Sequence, residues 1–159
     1  MIKSTLSLLV LLITTHAFSQ DNLKIKEIDL LVNEIKQSTL PIKRDSVILN
    51  QPELGLKMKT YLTMLINDKE LKKYENFVDA TMTVDGEVKK MTTSTTFYYN
   101  NNKLIKVEEY SIEADKKNLI DWYYSDSKPL LNTLESYKAA DRAQLLLTMS
   151  ESILKQLLK

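Results

Sequence analysis

Phe97-Tyr98-Tyr99-Asn100-Asn101-Asn102-Lys103-Leu104 and, twenty-five residues on, Trp122-Tyr123-Tyr124-Ser125-Asp126-Ser127-Lys128-Pro129 share one design. In each, an aromatic triplet precedes three small turn-forming residues and a lysine. Aromatic side chains suit a pleated, half-buried surface. Asn, Asp and Ser suit turns, because their side chains bond the nearby backbone. The repeat reads as strand, turn, strand, used twice, and it predicts a meander of antiparallel strands.

Upstream of it, Val88 to Tyr99 is rich in threonine (Thr92, Thr93, Thr95, Thr96), which is β-branched and strand-favouring. Asp85-Gly86 is the strongest hairpin signal in the chain, since both residues accept the positive φ of a type I′ turn. Tyr74, Val78, Ala80, Met82 and Val84 oppose Lys73, Glu75, Asp79 and Thr81. Leu56, Met58, Leu62, Met64 and Ile66 oppose Lys57, Lys59 and Thr63. Both are the period-two pattern of one-sided antiparallel strands, with Asn67-Asp68 as the turn between them. Residues 40 to 55 are the least patterned, with a short strand at Ser46 to Leu49 and punctuation at Pro52 and Gly55.

Downstream, Leu104 to Glu113 is the partner strand, and its faltering alternation at Glu108-Glu109 suggests a bulge. Leu119 to Tyr124 follows a turn near Asp115–Asn118. A last strand, about Leu130 to Leu134, opens after Pro129, which lacks an N–H for the ladder and so belongs at an edge.

Two helices flank the strands. Ile28, Leu31, Val32 and Ile35 form one stripe over Asn22 to Gln37, capped by Asp21 or Asn22 and closed before Pro41. Ala139, Ala143, Leu146, Leu147, Ile153, Leu154, Leu157 and Leu158 form a broader stripe at the other end. The expected fold class is α+β: an antiparallel meander of five to seven strands, with an N-terminal and a C-terminal helix packed on one face.

Lys3, the apolar run Leu6 to Ile13, and Ala17 and Ser19 ahead of Gln20 compose a signal peptide with a small-residue cleavage site. The run is too short for a membrane span, which needs about 20 apolar residues. Residues 1–19 are thus expected to be removed and 20–159 to form one domain, exported to the periplasm or beyond. No stable membrane span is expected after cleavage. Once Lys3 is gone, acidic and basic residues balance, which argues against nucleic acid and against anionic membrane. A hydrophobic content of 43% is enough for a core, so global disorder is not expected.

The only histidine, His16, lies in the leader, and the chain has no cysteine. That removes Ser-His-Asp and Cys-His nucleophiles, the usual zinc ligands, and haem held by either residue. Disulfides are excluded as well. Gly55 and Gly86 are the only glycines, so no glycine-rich phosphate loop is possible. No cofactor, metal site or catalytic residue is expected.

A carboxylate pair remains as a chemical option. Glu108, Glu109, Glu113 and Asp121 are the candidates, but neighbours in a strand point to opposite faces, and cross-strand pairing with Lys89, Lys103 or Lys106 is the plainer role. The doublets Lys72-Lys73, Lys89-Lys90 and Lys116-Lys117 near turns suit anion binding or, more simply, protection of strand edges. Asp115, Asn118 and Asp121 are oxygen donors for a hard cation, though their spacing matches no known loop.

The candidate binding residues are the aromatics: Tyr98 and Tyr123 on a helix-free sheet face, with Tyr99, Trp122 and Tyr124 beside them. Trp and Tyr dominate interface hot spots, but filling the core and covering the sheet faces is the plainer role for this cluster.

The stretch from Phe97 to Tyr110 resembles the hairpins of small exported bacterial proteins of unknown function. It is similar also to the hairpin unit of MORN-like repeat proteins, with asparagine or serine where those carry glycine. In layout the chain is similar to PepSY-like and β-lactamase-inhibitor-like modules. The resemblance implies the hairpin fold and export, and no functional residue. The function expected is a non-enzymatic module binding an unknown protein or small ligand in the cell envelope, through an open sheet face or an edge strand. The alternative is a carrier of a hydrophobic ligand, with a cavity lined by Met58, Met64, Met82 and Leu146.

Overall fold

The computed structural model describes residues 21–113, 116–130 and 137–158. Helix α1 occupies residues 21–37. The strands are β1 (Ile42–Gln51), β2 (Leu56–Asn67), β3 (Glu70–Val84), β4 (Glu87–Asn100), β5 (Lys103–Glu113), β6 (Lys116–Ser125) and β7 (Lys128–Pro129), and helix α2 (Tyr137–Leu157) follows. Spatial order equals chain order, and each neighbouring pair is antiparallel. The expected meander is present with seven strands and two helices.

The turns follow from their residues. Asp85-Gly86, Asn101-Asn102 and Asp126-Ser127 each place two successive residues at positive φ, as a type I′ turn requires. Asn100 pairs with Lys103, and Ser125 with Lys128, so the turns in the repeat are two residues long rather than three. β1 is longer than the expected Ser46 to Leu49, because its flanks pair fully with β2 despite their mixed polarity. β6 begins earlier than expected, at Lys116. β7 is shorter: Leu130 donates its N–H to Tyr123 O at 2.9 Å without extending the strand. The rest of the expected last strand, the signal peptide, and Asp115 of the turn before β6 lie outside the described residues.

The helices do not share a face, contrary to expectation. α2 packs through Ala143, Leu146 and Leu147 on Phe97, Tyr99, Val107, Trp122 and Tyr124. α1 packs through Ile28 and Val32 on Tyr98, Tyr123 and Leu130. The reason is local. An aromatic triplet in a strand sends its middle ring one way and its outer rings the other, so both faces of this end of the sheet are apolar and each needs a cover.

The bulge is also displaced. The β4–β5 register shifts between Tyr98 and Tyr99, where Ile105 is the extra residue, and Glu108 and Glu109 alternate regularly. A second shift sits between Leu65 and Ile66, opposite Lys72.

Both helices cover the end of the sheet that bears the turns at Asp68, Asn101 and Asp126. The end that bears Gly55 and Gly86 extends beyond them, with Val47, Ile48, Met82, Val88, Met91 and Leu119 exposed.

Candidate functional site

The aromatic residues singled out by the sequence are brought together, but as core. Tyr98 is 2% exposed and Tyr123 is 9% exposed, both beneath α1. The expected helix-free face over them does not exist. On the opposite face Tyr124 donates its hydroxyl hydrogen bond to Ala143 O at 2.9 Å, fastening α2 near its start. Trp122 Nε1 donates to Glu109 at 2.8 Å, and the Arg142 guanidinium pairs with the same carboxylate. Tyr99 is fully buried under α2. A ligand meeting any of these rings has to displace a helix first.

Between Tyr98 and Tyr123 the expected pairing of Glu108 and Asp121 with Lys106 is present, but buried beneath α1 rather than solvated. Lys106, 5% exposed, holds three carboxylates: Asp121 at 2.9 Å, Asp29 at 3.0 Å and Glu108 at 3.3 Å. Tyr123 donates to Asp29 at 3.0 Å, Tyr98 donates to Glu108 at 2.9 Å, and Lys36 pairs with Glu108 at 2.8 Å. The Lys106 ammonium also sits 4.8 Å above the Tyr123 ring, a cation–π contact.

Burial alone lowers the affinity of Lys106 for its proton, but the bonds to Asp121, Tyr123 and Asp29 outweigh it, so the lysine is held charged. Burial likewise pushes Glu108 up, while Lys36, Tyr98 and Lys106 together bring it below the usual carboxylate range. Desolvation raises Tyr98 strongly and pushes Tyr123 up to about 12. With its lysine charged and Tyr98 and Tyr123 neutral, this network fastens α1 to the sheet. The signal was present in the sequence: Lys106 and Tyr98 occupy same-face positions in adjacent strands, beside the aromatic repeat.

Of the carboxylate candidates, Glu108 and Asp121 meet at Lys106, and the other two stand apart from them. Glu108 faces α1, Glu109 faces α2, Asp121 bonds Lys106, and Glu113 pairs with Lys116 in the ladder at the far end of the strand. Among the described residues, no three acidic side chains are placed to hold a metal ion. Lys72 pairs with Glu70 at 2.7 Å and Lys73 with Glu75 at 2.9 Å, whereas Lys89, Lys90, Lys116 and Lys117 are exposed on the uncovered end. Of the cavity set, Leu146 is fully buried against the sheet while Met82 is exposed, and the four side chains line no common space among the described residues.

The open surface is elsewhere. Val47, Met82, Met91 and Ile120 are exposed on the α2 side of the distal sheet, and Ile48, Tyr61, Val88 and Leu119 on the α1 side. β1 is one of the sheet's two outer strands, with Val47 56% and Ile48 64% exposed. Edge strands are usually blunted by charge. Lys43, Arg44 and Asp45 do so in the first half of β1, but Ser46-Val47-Ile48-Leu49 carries none. That apolar run lacks alternation, and this was the available clue that neither of its faces is covered.

Among the described residues no helix is long and apolar enough to cross a membrane. Comparison with protein families, curated proteins and solved structures finds no match for this chain.

Proposed function

We propose that this protein is an exported, non-enzymatic binding module that holds an extended segment of a partner protein on the distal half of its sheet, through the β1 edge and the apolar residues beside it. The observation that carries this reading is the free, uncharged edge at Ser46–Leu49, flanked on the two faces by exposed Val47 and Ile48. An outer strand presents unpaired main-chain groups that accept an added strand, and alternate side chains then select the partner. Export is supported by the leader-like residues 1–19, and the lack of catalysis by a mature chain without histidine or cysteine.

A photoreactive phenylalanine analogue placed at Val47 tests it in envelope extract, with the same group at Leu30, exposed on α1, as control. The reading expects a discrete adduct from position 47 that is missing from position 30. Equal labelling at both positions, or none at position 47, overturns it.

A further inference from the structure

Along the distal flank of α2 two depressions of about 280 Å³ each meet at Thr95. One lies over β3 and β4, against Met149 and Ser152 of the helix, and the other over β4 to β6, against Arg142. Their floor is a row of short polar side chains on the α2 face: Asn76, Thr95, Thr93, Ser111 and Asn118. The register aligns Thr93, Ser111 and Asn118 directly across three strands. The groove exists because these residues are short, whereas Tyr74, Glu109 and Ile120 on the helix side and Met91 and Glu113 on the other are long.

Two observations mark it as a site. Asn76 Oδ1 is buried and has no hydrogen-bond partner, an uncommon state for a buried polar atom. The side chains of Thr93, Thr95, Ser111 and Asn118 also make no hydrogen bond to other described residues, so four neutral polar groups face the groove open to solvent. The charges lining the two depressions are already paired, Arg142 with Glu109.

We infer that this groove binds a short neutral oligosaccharide. From β3 to β6 it crosses three strand spacings, about 14 Å, enough for a few linked rings. Each Ser, Thr and Asn group both donates and accepts, matching sugar hydroxyls that do the same. Exposed Met149 and Ile120, with Tyr74, supply apolar contact for ring C–H faces. An added peptide strand is disfavoured here because the main chain of β3 to β6 is consumed by its own ladder. A charged glycan finds no unpaired counter-charge on the groove's walls.

Amide-resolved NMR titration of the mature chain with maltotriose, cellotriose and chitotriose tests this, with trigalacturonate and the glucosamine trimer as charged controls. At least one neutral trimer is expected to shift the amides of Thr93, Thr95 and Ser111 and the side-chain amide of Asn76, with the charged trimers ineffective. Thr95→Val removes the junction hydroxyl at constant shape and should weaken binding about tenfold, and Ser111→Leu fills the floor and should abolish it. Shifts that survive both substitutions, that fall outside the groove, or that are absent with every neutral trimer overturn the assignment. Val47→Lys with Ile48→Lys, which targets the β1 edge, should leave the sugar titration unchanged, so the two binding readings fail separately.

Discussion

Lys106 Nζ stands 3.0 Å from Asp29 Oδ1, tying the middle of β5 to α1. The bond explains how a helix that buries only Ile28 and Val32 fully stays seated on the sheet. It also turns the aromatic repeat, the most conspicuous feature of the chain, into structure rather than surface.

Lys106→Met should be the costliest change in this network. It leaves Asp29, Glu108 and Asp121 without their shared cation, and breaking a buried pair typically costs about 3–5 kcal/mol. Because Asp29 and Asp121 are partly solvated, a loss of about 2–3 kcal/mol is expected. Asp29→Asn leaves Lys106 its bonds to Glu108 and Asp121 and should cost no more than about 1 kcal/mol. Denaturant titration of both variants checks the order, and equal losses would show that the lysine acts through Asp29 alone.

Stability should fall at both ends of the pH scale. Glu108 and Glu70 are held below their ordinary range, the latter mainly by Lys72. A depressed carboxylate stabilises the fold above its unfolded pKa, about 4.3, and that contribution is lost as pH drops through the lower folded value. Tyr98, Tyr99 and Tyr124 are raised by burial and Tyr123 to about 12, so their contribution is full below about 10 and is lost on going higher. Urea midpoints should therefore be flat between roughly pH 5 and 9. Glu108→Gln should flatten the acid limb; an unchanged acid limb would remove Glu108 from the account.

The two glycines should respond differently. Both have positive φ, but a Cβ at Gly55 would meet Thr83 Cβ at 2.8 Å, whereas one at Gly86 meets nothing. Gly86→Ala should cost about 1 kcal/mol of backbone strain, and Gly55→Ala measurably more, in thermal melts run side by side. Equal costs would mean that the chain around Thr83 yields freely.

Leu146→Ala removes a fully buried side chain between α2 and the sheet and should cost about 3 kcal/mol. Leu145→Ala, on the exposed side of the same helix, should fall within about 0.5 kcal/mol of wild type. Calorimetry of the pair checks which side of α2 is seated.

Strand order was readable because turn chemistry and period-two alternation agree: Asp85-Gly86 and the aromatic repeat both gave correct hairpins. The placement of α1 was inferred wrongly, on the same face as α2, yet the true one was written in the same triplet. Tyr98 and Tyr123, each between two apolar neighbours, require cover on the second face. The pairing of Glu108 and Asp121 with Lys106 was legible, but its burial under α1 was not, because a lysine in a strand reads as solvent-facing until its neighbours are known. β1 was half legible, since Ile42 to Asp45 shows no alternation and takes its strand form from pairing with β2. The polar groove was invisible in sequence, because Asn76, Thr95, Ser111 and Asn118 converge only through the register.

The most direct test of the binding account is quantitative capture from envelope extract by three chains spanning residues 20–159: wild type, Val47→Lys with Ile48→Lys, and Tyr98→Phe with Tyr123→Phe. The account predicts that the edge variant loses a partner that wild type and the tyrosine variant retain equally. Loss in the tyrosine variant with retention in the edge variant would contradict it and return the binding surface to the aromatic repeat beneath α1.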